Sequence, residues 1–205
     1  MQISEFPKIT VIVRGYHYEQ IEKVAEVLSE SNNKYGIEVT LNTDDAFESI
    51  NKLKSDYPNL VIGAGTVLKF SQAKEAIKAG AEYILSPTIL SKEVLNLCHE
   101  KGVIIVPGGF TPTEIKELFD RGADIVKVFP ASTLGAKYFT DIQAPLGKLP
   151  LMAVGGINKK NARNFLLGGA SFLGIGSGMF NKEDILNCNK DNMRQSLSDF
   201  EKSIL

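Results

Sequence analysis

From Lys8 onward, short runs of β-branched and apolar residues alternate with longer segments whose apolar positions recur at three- and four-residue spacing. The runs 8–13 (KITVIV), 36–41 (GIEVTL), 60–65 (LVIGAG), 82–86, 103–107, 124–129 (DIVKVF), 150–154 and 172–175 predict strands, each closed by glycine, proline or a polar residue. Between them, segment 17–31 places Ile21, Val24, Ala25 and Leu28 on one helical face, and 111–121 opens with TPTE, a capping-box start. Strands alternating with amphipathic helices imply parallel βα units.

Two architectures accept such units, an open doubly wound sheet and a closed (β/α)8 TIM barrel. Eight units in 205 residues is lean, since barrels run to about 250 residues and seldom below about 200. The barrel is nevertheless the better reading. An open sheet favours fewer strands and a glycine fingerprint after the first, where this chain has VRGYH. No linker or low-complexity tract divides the sequence, so one domain over 1–205 is expected, with the polar segment 187–205 as a last helix covering the barrel.

Composition narrows the function. Lys+Arg 23 against Asp+Glu 24 gives a net charge of -1, which argues against nucleic acid or an anionic membrane as partner. Cys98 and Cys188, both in helix-like surroundings, form neither a disulfide framework nor a metal motif. The N-terminus has no signal architecture and no apolar run approaches the ~18 residues of a membrane span, so a cytoplasmic protein is expected.

In a (β/α)8 barrel, chemistry collects at the C-terminal strand ends. Lys127, in DIVKVFP, shares its face with Ile125 and Phe129 and points into the barrel, where burial favours a neutral, nucleophilic amine. Its bland alternative is a lysine snorkelling to an ion pair. Glu38, in IEVTLNT, is also inward and could shuttle protons for a Schiff-base reaction, or simply form a buried salt bridge with Lys127. Gly63, Ala64 and Gly65 leave room inside, and Thr66 beyond them is either a hydroxyl donor to a carboxylate or ordinary strand filler. Glycines in AVGGIN and GIGSG fall after strands seven and eight, where such barrels often bind phosphate; Gly155, Gly156, Gly176 and Ser177 are the candidates, with turn formation as the alternative. Arg14 adds a cation to the same rim unless it is a solvated surface residue. Tyr16, Tyr18 and Phe110 read better as packing residues than as cavity walls, and His17 and His99 are isolated. No metal and no cofactor is expected.

The motifs IEVTLNT, VIGAGTVL, YILSP, VPGGFTPTE, IVKVFP, AVGGI and GIGSG, in this order over nearly the whole chain, resemble the bacterial 2-keto-3-deoxy-6-phosphogluconate (KDPG) aldolases. The resemblance implies a class I aldolase, usually a homotrimer, that cleaves a phosphorylated 2-keto-3-deoxy sugar acid to pyruvate and glyceraldehyde 3-phosphate. It implies Lys127 as the Schiff-base lysine and Glu38 as proton shuttle. Thr66 and Pro87 would then lie beside the pyruvyl part, Phe129 beside the lysine, and the two glycine pairs near the phosphate. Asn42 stands where the phosphogluconate branch has arginine, and Val154 where it has threonine. Both departures resemble the phosphogalactonate branch, in which a residue like Arg14 helps hold the substrate. EVTLNT stays closer to the gluconate branch, and cleavage of 4-hydroxy-2-oxoglutarate is a further option. Outside this resemblance, two readings remain: a phosphosugar isomerase or epimerase using Glu38 as base, and a phosphate-metabolite binding protein with no catalysis.

Overall fold

The computed structural model describes residues 1–32 and 34–204. Eight parallel strands alternate with helices in one barrel. The strands are β1 (Ile9–Val13), β2 (Tyr35–Thr40), β3 (Val61–Gly65), β4 (Tyr83–Leu85), β5 (Ile104–Val106), β6 (Val126–Val128), β7 (Leu151–Val154) and β8 (Phe172–Ile175). Each overlaps its expected run, with β2 beginning one residue earlier, at Tyr35. They neighbour one another in the order β5-β4-β3-β2-β1-β8-β7-β6. Lys127 closes the remaining seam: its N–H donates to the Pro107 carbonyl at 2.9 Å, and its own carbonyl accepts from the Gly109 N–H at 2.9 Å.

The connecting helices are α1 (Tyr18–Ser29), α2 (Ala46–Asp56), α3 (Phe70–Lys78), α4 (Lys92–Glu100), α5 (Pro112–Asp120), α6 (Ala131–Leu134), α7 (Lys137–Leu146), α8 (Ala162–Leu167), α9 (Lys182–Leu186) and α10 (Lys190–Ile204). α1 buries Ile21, Val24, Ala25 and Leu28, the stripe its spacing predicts. α5 starts as TPTE predicts, with the Glu114 N–H donating to Thr111 Oγ1 at 3.3 Å and Glu114 Oε2 accepting from the Thr111 N–H at 2.8 Å. The last helix is shorter than 187–205. Asn187 to Asn189 form a turn in which Cys188 takes φ 53°, so that cysteine is not helical. α10 packs on the outer helical layer, against α1, α8 and α9. Leu205, part of that expected helix, lies outside the described residues, as does Asn33.

Strand alternation divides the core into two layers. Outward residues such as Val11, Val13, Ile37, Val39, Val126 and Val128 pack under the helices. Inward residues Val61, Tyr83, Leu85, Ile104, Ile125, Met152 and Phe172 fill the barrel. At the N-terminal end, Phe6 stoppers it, with its ring edge-on to Tyr83 at 5.1 Å and to Phe172 at 5.3 Å. The opposite end is where the interior stays open. Among the described residues no helix is long and apolar enough to cross a membrane.

Candidate active site

A cavity of about 570 Å³ opens at the C-terminal strand ends. Its wall takes Arg14 and Tyr16 from beyond β1, Lys127 and Phe129 from β6 and its exit, Val154, Gly155 and Gly156 from the end of β7, and Gly176 and Ser177 from beyond β8.

Lys127 is only 3% exposed, and its Nζ lies 5.1 Å from the centre of the Phe129 ring. Burial pushes its ammonium down from the usual lysine range; Glu38 opposes this and Arg14 adds to it. Glu38 sits behind the cavity wall, fully buried. Burial pushes its carboxyl up, while Lys127 and Arg14 pull it back. Neither carboxylate oxygen has a hydrogen-bond partner. The buried salt bridge is therefore not made: the two groups feel each other through space without pairing. Each is driven toward its neutral form, the state in which an amine attacks and a carboxylic acid donates a proton.

The glycines serve several purposes. A Cβ on Gly65 would lie 1.6 Å from Glu38 Oε1, and one on Gly63 would lie 2.3 Å from the Tyr83 ring. Their space is taken by the protein's own side chains, and Ala64 faces outward under the helices. The room expected at this strand thus belongs to Glu38 and Tyr83. Gly155 and Gly156 hold φ of 96° and 74°, which other residues adopt only under strain. The Gly156 carbonyl accepts from the side-chain amides of Asn158 and Asn161, at 3.3 and 2.9 Å. Around Gly176, no atom comes nearer than 4.0 Å to where a Cβ would be. Outside the strand ladder, the N–H groups of Gly155, Gly156, Gly176 and Ser177 make no backbone hydrogen bond among the described residues. Together with Arg14 they form a rim able to receive an anion.

Thr66 and Pro87 do not reach this cavity wall. Thr66 follows β3 with φ 57°, a left-handed turn rather than strand filler. Pro87 joins Phe110 and the far side of Phe129 around a shallower hollow of about 330 Å³. Phe110 thus walls this hollow; its carbonyl accepts from the Tyr138 hydroxyl at 2.7 Å. Polar wall residues outside the sequence candidates include Tyr16 and Asn158. Tyr16, assigned to packing, faces the cavity half-buried, and Asn158 follows the AVGGI turn. The signal for both was position alone, within two or three residues of Arg14 and Gly156. Tyr18 points elsewhere, stacked under Lys52 at 4.8 Å. His17 precedes α1, and His99 lies 4.0 Å from Asp124 on the outer side. Among the described residues, no group of three or more His, Cys, Asp or Glu could hold a metal ion.

Comparison with known proteins adds an independent line. The family model for KDPG and KHG aldolases matches residues 2–196. A Rhizobium meliloti (strain 1021) protein named as a probable 2-dehydro-3-deoxy-6-phosphogalactonate aldolase is 36% identical over 174 residues, 84% of this chain and 81% of its own. A solved native KDPGal structure superposes with TM-score 0.87 at 25% identity, covering 100% of this chain and 99% of that one. KDPG aldolase from Legionella pneumophila, with pyruvate captured as a covalent carbinolamine, superposes at TM-score 0.84 and 27% identity, over 94% and 93% of the two chains.

Proposed function

The chain belongs to the KDPG and KHG aldolase family, and on that premise we propose how its own residues carry the reaction. It is a class I aldolase, a carbon–carbon lyase that releases pyruvate and an aldehyde. The observation that carries our reading is the pair of buried, unpaired groups Lys127, in the cavity wall, and Glu38, behind it, each shifted by the other's charge.

Neutral Lys127 Nζ adds to the C2 ketone of the substrate, and neutral Glu38 gives its proton to the departing C2 hydroxyl, so that the carbinolamine loses water to a protonated imine and Glu38 is left as the carboxylate. Glu38 takes the C4 hydroxyl proton as the C3–C4 bond breaks. The bonding pair moves into the imine to give an enamine, and the C4 fragment leaves as aldehyde. Glu38 then returns the proton to C3, and water hydrolyses the resulting pyruvyl imine, freeing Lys127 and pyruvate. The imine nitrogen is the electron sink, so the reaction needs no divalent ion. We assign the distal phosphate of the substrate to the rim of Gly155, Gly156, Gly176 and Ser177, with Arg14 and Tyr16 across the opening. We assign Phe129, whose ring lies by Lys127 Nζ, to the reacting end, with Pro87 beside it and Thr66 at the end of β3 toward the pyruvyl part.

The preferred substrate in this reading is the galactonate epimer of the phosphorylated 2-keto-3-deoxy acid, with the gluconate epimer also accepted. Val154 presents two methyl groups to the cavity where a threonine would offer a hydroxyl, so neither C4 configuration gains a hydrogen bond there. Ile89, Phe110 and Phe129 expose apolar surface side by side around the second hollow, which suits burial in a homotrimer. We place the enzyme's work in the cytosol. The test is direct: purified protein is assayed for pyruvate from both epimers, with and without EDTA. Release from the galactonate epimer at least as fast as from the gluconate one, unchanged by EDTA, supports the reading. No pyruvate from either, or loss on chelation restored by magnesium, overturns it.

A further inference from the structure

Below Glu38, the barrel interior contains two hydroxyls that the mechanism above does not use. Thr10 on β1 and Tyr83 on β4 are both fully buried, and neither hydroxyl makes a hydrogen bond of good geometry, although Thr10 lies near enough to the Tyr83 oxygen to pull the phenol slightly down. With the two Glu38 oxygens they make up all the buried, unpartnered side-chain polar atoms among the described residues. Such atoms are rare in folded proteins, and these four come from inward positions of β1, β2 and β4. By contrast, Thr40, the next inward residue of β2, bonds to the Val13 carbonyl at 3.4 Å and to Thr43 at 3.1 Å.

The backbone is arranged to bring these atoms together. β1 pairs Thr10 with Gly36, β2 pairs Glu38 with Gly63, and β3 pairs Gly63 with Tyr83. Because Gly63 lacks a side chain, the Tyr83 ring passes over β3 toward β2. A Cβ on Gly36 would then lie 2.9 Å from Thr10 Oγ1 and 3.4 Å from the Tyr83 hydroxyl oxygen, so both oxygens flank one point beneath Glu38. Phe6 supports the ring from below.

We propose that Thr10 and Tyr83 are positioning residues for Glu38: their hydroxyls, with one buried water among them, form the hydrogen-bonded floor on which its carboxylate rests. The inference rests on Glu38 being the proton shuttle. Four polar atoms around one water supply the two to four partners that a buried water requires. Burial, and then the Glu38 charge, hold the Tyr83 phenol well above its usual range, so it keeps its proton and donates. A donor under the carboxylate favours its ionised form and leaves the upper side free for substrate. The charged groups facing Glu38 are Lys127 from β6 and Arg14 from the end of β1; β3 presents only glycines there, and Glu82 acts on Tyr83 from just before β4.

The test is exchange of pyruvate methyl protons with D2O at saturating pyruvate, followed against pH in wild type, Tyr83→Phe and Thr10→Val. Exchange requires Glu38 to accept a proton, so it falls on the acid side. Tyr83→Phe keeps the ring over Gly63, and Thr10→Val keeps the volume, so each checks the other if one folds poorly. Removing a donor from the carboxylate moves the acid limb to higher pH, by about one unit for Tyr83→Phe and in the same direction for Thr10→Val. An acid limb in the wild-type position in both variants overturns the proposal and leaves the aldolase reading intact. A wild-type chain that exchanges no methyl protons overturns both.

Discussion

The two ends of the barrel interior are built from inward positions of the same eight strands and have opposite contents. At the N-terminal end Phe6, Tyr83 and Phe172 meet edge to face, and Ile104 and Ile125 complete an apolar plug. Toward the C-terminal end the same alternation delivers Glu38, Lys127, Val154 and the open position at Gly176. The lower half gains stability by burying rings. The upper half bears the cost of two buried ionisable groups and keeps a cavity unfilled. Function in this fold is thus a change of filling along one column of residues, and the halves should separate under mutation.

The largest effect should come from Lys127. Lys127→Met should reduce cleavage below about one ten-thousandth of wild type, because no other group supplies the imine. Stability should move the other way. Burial sets the folded pKa of Lys127 below its unfolded value, so between the two the unfolded chain binds more protons and stability rises with pH. Below that window the full cost of the buried ammonium is present. The methionine variant should therefore melt no lower than wild type below neutrality, as calorimetry would show. Retention of activity in Lys127→Arg would instead favour the isomerase or epimerase reading, in which charge suffices.

Gly65→Ala comes next, since its methyl would occupy the position of the Glu38 carboxylate. Displacing that group by about an ångström should lower kcat about a hundredfold. Trapping of pyruvate on Lys127 should survive. If kcat is unchanged, Glu38 is not the shuttle. Phe172→Ala tests the other end: a loss of about 3–5 kcal/mol in denaturant unfolding, with kcat unchanged wherever both proteins are folded. A large kcat loss without destabilisation would erase the distinction between the halves. The smallest effect is expected at Val154→Thr, which should shift the gluco-to-galacto ratio of kcat/KM toward gluco by about 1 kcal/mol. An unchanged ratio would show that this position does not set C4 selectivity.

The strands and the inward direction of Lys127 and Glu38 were legible because alternation is a local property, visible within a few residues. What depends on neighbours across the sheet was not. Nothing near Gly63 or Gly65 in sequence says that Tyr83 and Glu38 fill their space, since those contacts come from adjoining strands. Thr10 reads as an ordinary β-branched strand residue until Tyr83 arrives across two strands. Cys188 and the turn before α10 were hidden for the opposite reason. A short break between two helices carries little signal when its residues are polar on both sides.

The whole reaction hangs on a covalent imine at Lys127. Incubation with pyruvate and borohydride, then peptide mass spectrometry, locates it. One reduced pyruvyl adduct is expected, on Lys127, abolished in Lys127→Met. An adduct on another lysine, or none while pyruvate is still released from the phosphorylated substrate, would contradict it.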